Sequence, residues 1–392
     1  MQNCAAIASV DDDAALLSPS LLLIASSRRW KSAVHAAARE LKGARVATCA
    51  AREAIIRLAG TAERYSHVLV QPGSADGWLT ELVGLSAAAG CSSTEMLLLA
   101  PPDPPPPRVG VIRSADRRSV RQALSPPPDS ANVDEPGMQT SELHDALAGA
   151  MIETRYQPIV RIADRQPIAL EALARLNHPT RGTLLPDNFV PQIEDAGLAA
   201  QLTDLVGARA FADMAGQVGE LGLLVTLNFP LDVLLVPEAL ARLDARREEA
   251  GIAPERVVIE LTESRPVDDL TALARTLEDL RRRGYRVSID DLAPGTPCLK
   301  ELLALPFTSA KLDKHVVQTA EQPDCARFIE SVVATAHRHA KLVIAEGVED
   351  VPTWNRIQAL GADYAQGFLV ARPLPAAAVI VWYEAWMHRS AL

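Results

Sequence analysis

Short apolar runs recur through the second part of the chain, and a stretch of helical spacing separates most of them. They read "RYQPIVRI", "PIALEAL", "LLVTLNF", "RVVIEL", "RVSIDD", "SAKLD", "KLVIAE" and "DYAQGFLV". Strands that alternate with helices favour parallel pairing through helical crossovers. Eight such runs within about 250 residues match the size of a β/α barrel. The pattern therefore predicts an α/β chain whose C-terminal part is a TIM-like (β/α) barrel.

The polar residues of these runs lie mostly at or near the carboxyl ends of the predicted strands. In a β/α barrel those ends meet on one face, which is where active sites are built. Any one of these acids alone is also compatible with a helix cap or a turn. Together they predict one polar site, formed by Glu171, Asn228, Glu260, Asp290, Asp291, Lys311, Asp313, Glu346 and Gln366.

Several carboxylates that face one cavity repel each other and need positive charge to stay ionised. Carboxylate and amide oxygens are the ligands that Mg²⁺ and Mn²⁺ prefer, whereas a zinc site uses His or Cys, which are missing from this set. Two such ions about 3.5–4 Å apart are typical of enzymes that cleave phosphodiesters. The residues therefore predict a two-metal site, at which Lys311 orients a water molecule or stabilises charge on phosphoryl oxygens.

The stretch "LSPPPDSANVDEPGM" has the Pro-rich, polar composition of a linker. We therefore divide the chain into a small α/β domain (1–124), a linker (125–138) and the barrel (139–392). The alternating pattern of the first domain resembles the receiver domain of bacterial response regulators. Gln71 stands where the phosphoacceptor Asp of that family is expected, so the resemblance implies a degenerate, regulatory receiver that cannot be phosphorylated in the usual way.

Composition argues against a nucleic-acid partner, a structural zinc site and a membrane segment. The net charge of −10 argues against a nucleic-acid polymer, because such binding needs clustered Lys and Arg. The five cysteines form no CxxC pair, which indicates a reducing compartment and no structural zinc. No apolar run reaches the ~18 residues of a membrane-spanning helix. These features predict a cytoplasmic protein without a membrane segment.

The motifs "YQPIV", "EALAR", "TLN", "IELTES", "IDD", "KLD", "IAEGVE", "YAQGF" and "RPLP" follow each other in this order between about residues 140 and 392. They resemble the EAL-domain phosphodiesterases, which hydrolyse the bacterial second messenger cyclic di-GMP to linear pGpG with Mg²⁺ or Mn²⁺. The Gly-Gly-Asp-Glu-Phe signature of the enzymes that synthesise this messenger is absent from the sequence. The resemblance therefore implies a cyclic-guanylate-specific phosphodiesterase.

The resemblance also implies a role for each matching residue. The implied metal ligands are Glu171, Asn228, Glu260, Asp290, Asp291 and Glu346. The implied catalytic residues are Glu171, Lys311, Asp291 and Glu346. The substrate-binding residues are then Gln157, Leu173, Arg175, Asp313 and Gln366, and Glu263 and Glu349 anchor the loop that follows the aspartate pair. The resemblance also implies a homodimer that binds cyclic di-GMP. Separately, we expect the N-terminal domain to bind a protein partner.

The loop after the aspartate pair departs from the family pattern. It reads "DDLAPGTPCL", where the family has Asp-Asp-Phe-Gly-(Thr/Ala)-Gly-Tyr-Ser-Ser-Leu. Proline removes a backbone donor and fixes φ, and the loss of a glycine restricts the turns that are available. The sequence therefore leaves three hypotheses: an active phosphodiesterase, a cyclic di-GMP receptor or interaction module disabled at residues 292–298, and a pure interaction protein. Retention of every implied metal ligand favours the enzyme.

Overall fold

The structure is a computed structural model that describes residues 20–25, 27–39, 45–50, 54, 67–71, 95–99, 110–112, 138–148, 151–262 and 269–390. Two predicted features lie outside these residues. They are Glu263 and residues 125–137 of the predicted linker.

The N-terminal part contains a five-stranded parallel sheet and the helix Arg28–Ala38. Its strand order is β2-β1-β3-β4-β5, which is the flavodoxin-like order of doubly wound α/β folds. This order is shared by proteins of many functions, so the receiver-like interpretation stays a prediction. The strands are β1 (Ser20–Ile24), β2 (Arg45–Thr48), β3 (His67–Val70), β4 (Glu95–Leu99) and β5 (Gly110–Ile112).

The C-terminal part is a closed eight-stranded barrel, as the sequence predicts. The strands pair in the order β6-β14-β13-β12-β11-β10-β9-β7, and β7 pairs with β6 to close the ring. A short strand, β8 (Gly182–Leu184), extends β7 outside the ring. The barrel strands are β6 (Ile152–Arg161), β7 (Pro167–His178), β9 (Leu224–Pro230), β10 (Val257–Thr262), β11 (Arg286–Leu292), β12 (Ser309–Leu312), β13 (Leu342–Ala345) and β14 (Tyr364–Gln366).

The first barrel strand differs from the all-parallel arrangement of a TIM barrel. β6 is antiparallel to both β7 and β14, whereas the other neighbours in the ring are parallel. Only residues 162–166 separate β6 from β7, and a parallel crossover needs about a dozen residues or more. A tight hairpin, with Arg165 at φ 58°, is the connection that this length permits.

Helices cover the outside of the barrel. Helix Leu270–Arg282 begins after Asp269, whose side chain accepts hydrogen bonds from the backbone N–H groups of Thr271 and Ala272. Leu273, Leu277 and Leu280 fall on one face of this helix, and all three are fully buried. The remaining described helices are Thr140–Ala148, Val190–Asp195, Ala199–Ala215, Gln217–Glu220, Leu231–Leu234, Pro237–Glu249, Leu299–Ala304, Lys314–Gln318, Pro323–Arg338, Val351–Ala359 and Ala376–Ser390, with 3-10 turns at Pro186–Asn188 and Pro254–Arg256. Among the described helices none is both long and apolar enough to cross a membrane.

The barrel interior changes from apolar to polar along the strands. Ile159, Ala169 and Ile344 pack together as a small buried cluster. Side chains two positions apart on a strand share a face. The inward positions at the carboxyl end are therefore occupied by polar residues, among them Glu171, two residues after Ala169, and Glu346, two residues after Ile344.

Candidate active site

Two clusters of carboxylates lie at the carboxyl end of the barrel. The first contains Glu171, Glu260 and Asp290, and the second contains Asp290, Asp291 and Glu346. In each cluster the ligand oxygens lie within 4.8 Å of one another. Asp290 belongs to both clusters, so its carboxylate stands between two positions that suit a cation.

An irregularity of the backbone brings Asp290 and Asp291 to the same site. The pairing of β11 with β12 shifts between Ile289 and Leu292, and Asp291 has φ 55°. Neighbouring side chains of a regular strand point to opposite faces, and a bulge with one left-handed residue cancels that alternation. Aspartate tolerates this conformation better than most residues because its short side chain bonds locally. In addition, the backbone N–H of Asp291 donates to Oδ1 of the preceding Asp290 at 2.9 Å.

Lys311 stands among the carboxylates of both clusters. Its Nζ lies 2.5 Å from Glu346, 3.1 Å from Asp290, 3.2 Å from Glu260 and 3.6 Å from Glu171. The Lys311 side chain is only 1% exposed. A buried ammonium needs such partners, because an unpaired charge in the interior is strongly destabilising. The residue therefore neutralises part of the negative charge of the site.

Burial and mutual repulsion shift the pKa values of these groups. Burial raises the pKa of Glu260 to about 8 and that of Asp290 to about 6, although the Lys311 ammonium opposes both shifts. Burial likewise raises the pKa values of Asp291 and Glu346. Burial alone would lower the pKa of Lys311, but the surrounding carboxylates raise it well above its usual value. The site thus holds more negative charge than one lysine balances.

One oxygen of the first cluster lacks any partner among the described residues. Oε1 of Glu260 is buried and accepts no hydrogen bond, although Oε2 of the same carboxylate binds Lys311. An unsatisfied buried carboxylate oxygen is costly, and a hard cation satisfies it. The donor atoms of the two clusters are all carboxylate oxygens, which are ligands that suit Mg²⁺ or Mn²⁺.

Amide side chains surround the first cluster. Asn228 lies opposite Glu260 in the pairing of β9 with β10, and its Nδ2 donates to Oε1 of Glu171 at 3.0 Å. Gln366 Nε2 donates to Oε2 of Glu171 at 2.5 Å and to Oε1 of Gln157 at 3.2 Å. Burial alone would raise the pKa of Glu171, but Lys311 and the amides of Asn228 and Gln366 lower it below its usual value.

A cavity of about 730 Å³ opens above the acidic clusters, and its size suits a small organic ligand. Its walls include nearly all the residues that the sequence analysis selected, namely Gln157, Glu171, Leu173, Arg175, Asn228, Asp290, Asp291, Asp313, Glu346, Glu349 and Gln366. Glu260 and Lys311 lie beneath it and are fully buried. Asp313 has a structural contact as well, because its Oδ1 accepts a hydrogen bond from the N–H of His315 and caps the helix Lys314–Gln318.

Some residues of the cavity wall were missed from the sequence. Asp187 and Glu194 line the cavity, yet in the sequence they resemble ordinary turn and helix residues. Phe368 also lines it, and the Arg372 guanidinium lies 4.2 Å from the centre of its ring. Phe368 is the last residue of the motif "YAQGF", so this motif could have identified it as a residue of the site.

Comparison with known protein families finds one match, to the EAL domain, over residues 140–373. The match contains every residue of the two acidic clusters. It confirms the resemblance drawn from the sequence motifs and leaves the receiver-like interpretation of the N-terminal part unconfirmed.

Among curated proteins, the chain is 33% identical over 254 residues to the cyclic di-GMP phosphodiesterase NbdA of Pseudomonas aeruginosa. The aligned region covers 64% of this chain and 32% of NbdA. The chain thus spans about a third of the length of this relative. Among solved structures, it is similar to the PaMucR phosphodiesterase in complex with c-di-GMP, with a TM-score of 0.58, 29% identity, and coverage of 61% of this chain and 99% of that one. It also resembles Klebsiella pneumoniae BlrP1 in a manganese/cy-diGMP complex, with a TM-score of 0.50, 28% identity, and coverage of 58% and 57%.

Proposed function

The chain belongs to the EAL domain family, and from this membership we propose that it hydrolyses cyclic di-GMP to linear pGpG with the help of two divalent cations. The observation that carries the proposal is the pair of acidic clusters that share Asp290. The orphaned Oε1 of Glu260 supports it, because this buried oxygen has no partner among the described residues and a bound cation would supply one. Cyclic di-GMP is the proposed substrate because relatives of the chain are named as phosphodiesterases of this dinucleotide or were solved in complex with it.

In the proposed reaction, water adds to one phosphorus atom of the cyclic dinucleotide and the bond from that phosphorus to the ribose 3′ oxygen breaks. The products are a 5′ phosphate and a 3′ hydroxyl, and the leaving oxygen takes up a proton. Bound cations of this kind activate water and neutralise charge on the phosphoryl oxygens. The clusters of this chain would hold them through Glu171, Asn228, Glu260, Asp290, Asp291 and Glu346, with Mg²⁺ or Mn²⁺ as the proposed ions.

The other side chains of the cavity bind and orient the substrate in this proposal. Lys311 donates hydrogen bonds at the floor of the site, where negative charge grows during the reaction. Arg175 offers a planar fork that matches phosphate oxygens. Leu173 and Phe368 provide apolar surface for the guanine bases, and Gln157, Asp313 and Gln366 provide polar contacts. Glu349 and Glu263 support the loop after Asp291, as the family resemblance implies.

The alternative is a receptor that binds cyclic di-GMP without cleaving it. That hypothesis depends on the unusual residues 292–298. The described loop forms a closed turn between Ala293 and Thr296 while Asp290, Asp291 and Glu346 stay together. A loop that leaves the acidic clusters intact favours the enzyme over the receptor.

The remaining parts of the proposal concern the whole protein. We infer a domain division at residues 1–124, 125–138 and 139–392, a regulatory N-terminal domain with its own protein partner, a homodimer, and a cytoplasmic location. The matching motifs and the sequence composition support these inferences.

The test compares binding with turnover in one preparation. Purified full chain is incubated with cyclic di-GMP and Mg²⁺ or Mn²⁺, and chromatography follows the linear product, while calorimetry measures binding in Ca²⁺. We expect product with wild type and with Asp145→Asn, an exposed matched control, and none with Asp290→Asn. Binding in Ca²⁺ without product in Mg²⁺ or Mn²⁺ would support the receptor. Neither binding nor product would contradict both functions.

A further inference from the structure

The chain leaves the aspartate pair through a tight turn at Ala293–Thr296. The Thr296 N–H donates to the Ala293 carbonyl at 3.0 Å, and Gly295 has φ 98°. These are the features of a type II turn, which favours proline at its second position and glycine at its third. Pro294 and Gly295 occupy these two positions. The proline therefore stands where its fixed φ fits the turn.

A side chain closes this turn a second time. The hydroxyl of Thr296 accepts a hydrogen bond from the Ala293 N–H at 3.1 Å and donates one to the Ala293 carbonyl at 2.9 Å. One hydroxyl thus holds both polar backbone groups of Ala293. Valine has almost the same shape as threonine and would lose both bonds.

The residue before Ala293 is fixed as well. Leu292 is fully buried, pairs with Leu312 of β12, and accepts a hydrogen bond from the N–H of Asp313 at 3.1 Å. Asp291 therefore lies between two restrained segments, with the strand on one side and Leu292–Ala293 on the other. A left-handed non-glycine residue is strained and persists only where its surroundings fix it.

We propose that Thr296 is a positioning residue for the second acidic cluster. Its hydroxyl rigidifies the turn that holds Asp291 at positive φ, and this keeps the Asp291 carboxylate within reach of Asp290 and Glu346. Thr296 acts through Asp291 and does not touch the cations or the substrate. The inference rests on the proposed function only in that it assigns cations to the two clusters.

The test measures the number and the affinity of Mn²⁺ ions bound to the full chain by electron paramagnetic resonance, which needs no turnover. In Thr296→Val, which loses both bonds of the hydroxyl, we expect one of the two ions to lose about fivefold or more in affinity while the other ion is unchanged. Thr296→Ser keeps the hydroxyl and is expected to behave as wild type. Thr276→Val is the matched control, because Thr276 bonds only within its own helix in the described part of the chain.

A second variant perturbs the same turn through its backbone conformation instead of through the Thr296 hydroxyl. Gly295→Ala forces an L side chain into positive φ, although a Cβ at this position meets nothing within 4 Å. We expect it to weaken the same ion, whereas Gly251→Ala, at φ 69° and equally open, is expected to leave both ions unchanged.

Turnover gives a separate readout. The Mn²⁺ concentration for half-maximal hydrolysis is expected to rise in Thr296→Val with KM for cyclic di-GMP unchanged. Unchanged binding of both ions in Thr296→Val and Gly295→Ala, or equal weakening of both ions, would overturn the proposal. Two ions bound by wild type without any product would contradict the proposed function and leave the binding comparison valid.

Discussion

The Lys311 ammonium nitrogen lies 2.5 Å from Oε1 of Glu346, at the floor of the cavity and among carboxylates of both acidic clusters. Glu346 directly follows β13, and its N–H donates to the carbonyl of Leu312, the neighbour of Lys311 on β12, so the backbone of two paired strands sets this contact. The pair links the charge of the second cluster to a lysine that also contacts the first cluster.

Removal of this ammonium should destabilise the metal-free protein. Lys311→Met leaves four carboxylates without their counter-charge, and breaking a buried ion pair on one side costs about 3–5 kcal/mol. Urea unfolding in a chelator measures the loss, with the exposed Lys300→Met as control. We expect added Mn²⁺ to restore part of the lost stability, because a cation supplies the missing charge. Equal stability of the two variants would contradict this assignment.

Arg175 should contribute to ligand binding through charge and shape. The residue is 4% exposed, burial lowers its pKa to about 10, and its Nε finds no partner among the described residues. Arg175→Gln is expected to weaken binding of cyclic di-GMP in Ca²⁺ by about tenfold or more, the size of a lost hydrogen bond to a charged group. Calorimetry measures the affinity, and the exposed Arg338→Gln should match wild type.

A charge network on the outside of the barrel gives a prediction that is independent of function. The Tyr285 hydroxyl donates to Oδ1 of Asp244 at 2.5 Å, and Arg283 donates to Oδ2 at 2.8 Å. Burial alone would raise the pKa of Asp244, but these bonds and the nearby Arg247 lower it below its usual value.

A lowered folded-state pKa means that the unfolded chain binds the proton more readily. The resulting stability is present above the unfolded pKa of Asp, about 3.9, and is lost as the pH falls through the folded value. Tyr285→Phe should therefore reduce the free energy of unfolding by about 1–2 kcal/mol at neutral pH, and less below about pH 4. Denaturant unfolding at pH 7 and pH 3.5 tests this, with Tyr383→Phe as control. A deficit that grows in acid would contradict the assignment.

The sequence predicted the barrel because its evidence is local and repeated. Each of the eight apolar runs became a barrel strand, and the acids at their ends met at one mouth. The direction of β6 could not be predicted in this way, because the alternation of side chains is the same in both strand directions. The short connection to β7 was the only available sign of an antiparallel strand.

The sequence also suggested that the prolines of residues 292–298 disturb the site. The structure shows a different outcome at Pro294, because that residue fits a type II turn completed by Gly295 and Thr296. A single residue type cannot be judged without the turn position that it occupies. Likewise, the left-handed backbone of Asp291 and the wall positions of Asp187 and Glu194 depend on tertiary contacts that residue order does not contain.

The measurement that tests the central claim most directly is hydrolysis in ¹⁸O-labelled water. Wild type and Glu260→Gln are incubated with cyclic di-GMP and Mn²⁺, with the exposed Glu278→Gln as matched control, and mass spectrometry analyses the dinucleotide. We predict linear pGpG with one ¹⁸O atom in its 5′ phosphate from wild type and Glu278→Gln, and no product from Glu260→Gln or without metal. Unchanged cyclic di-GMP from wild type, or linear product without the label, would contradict the account.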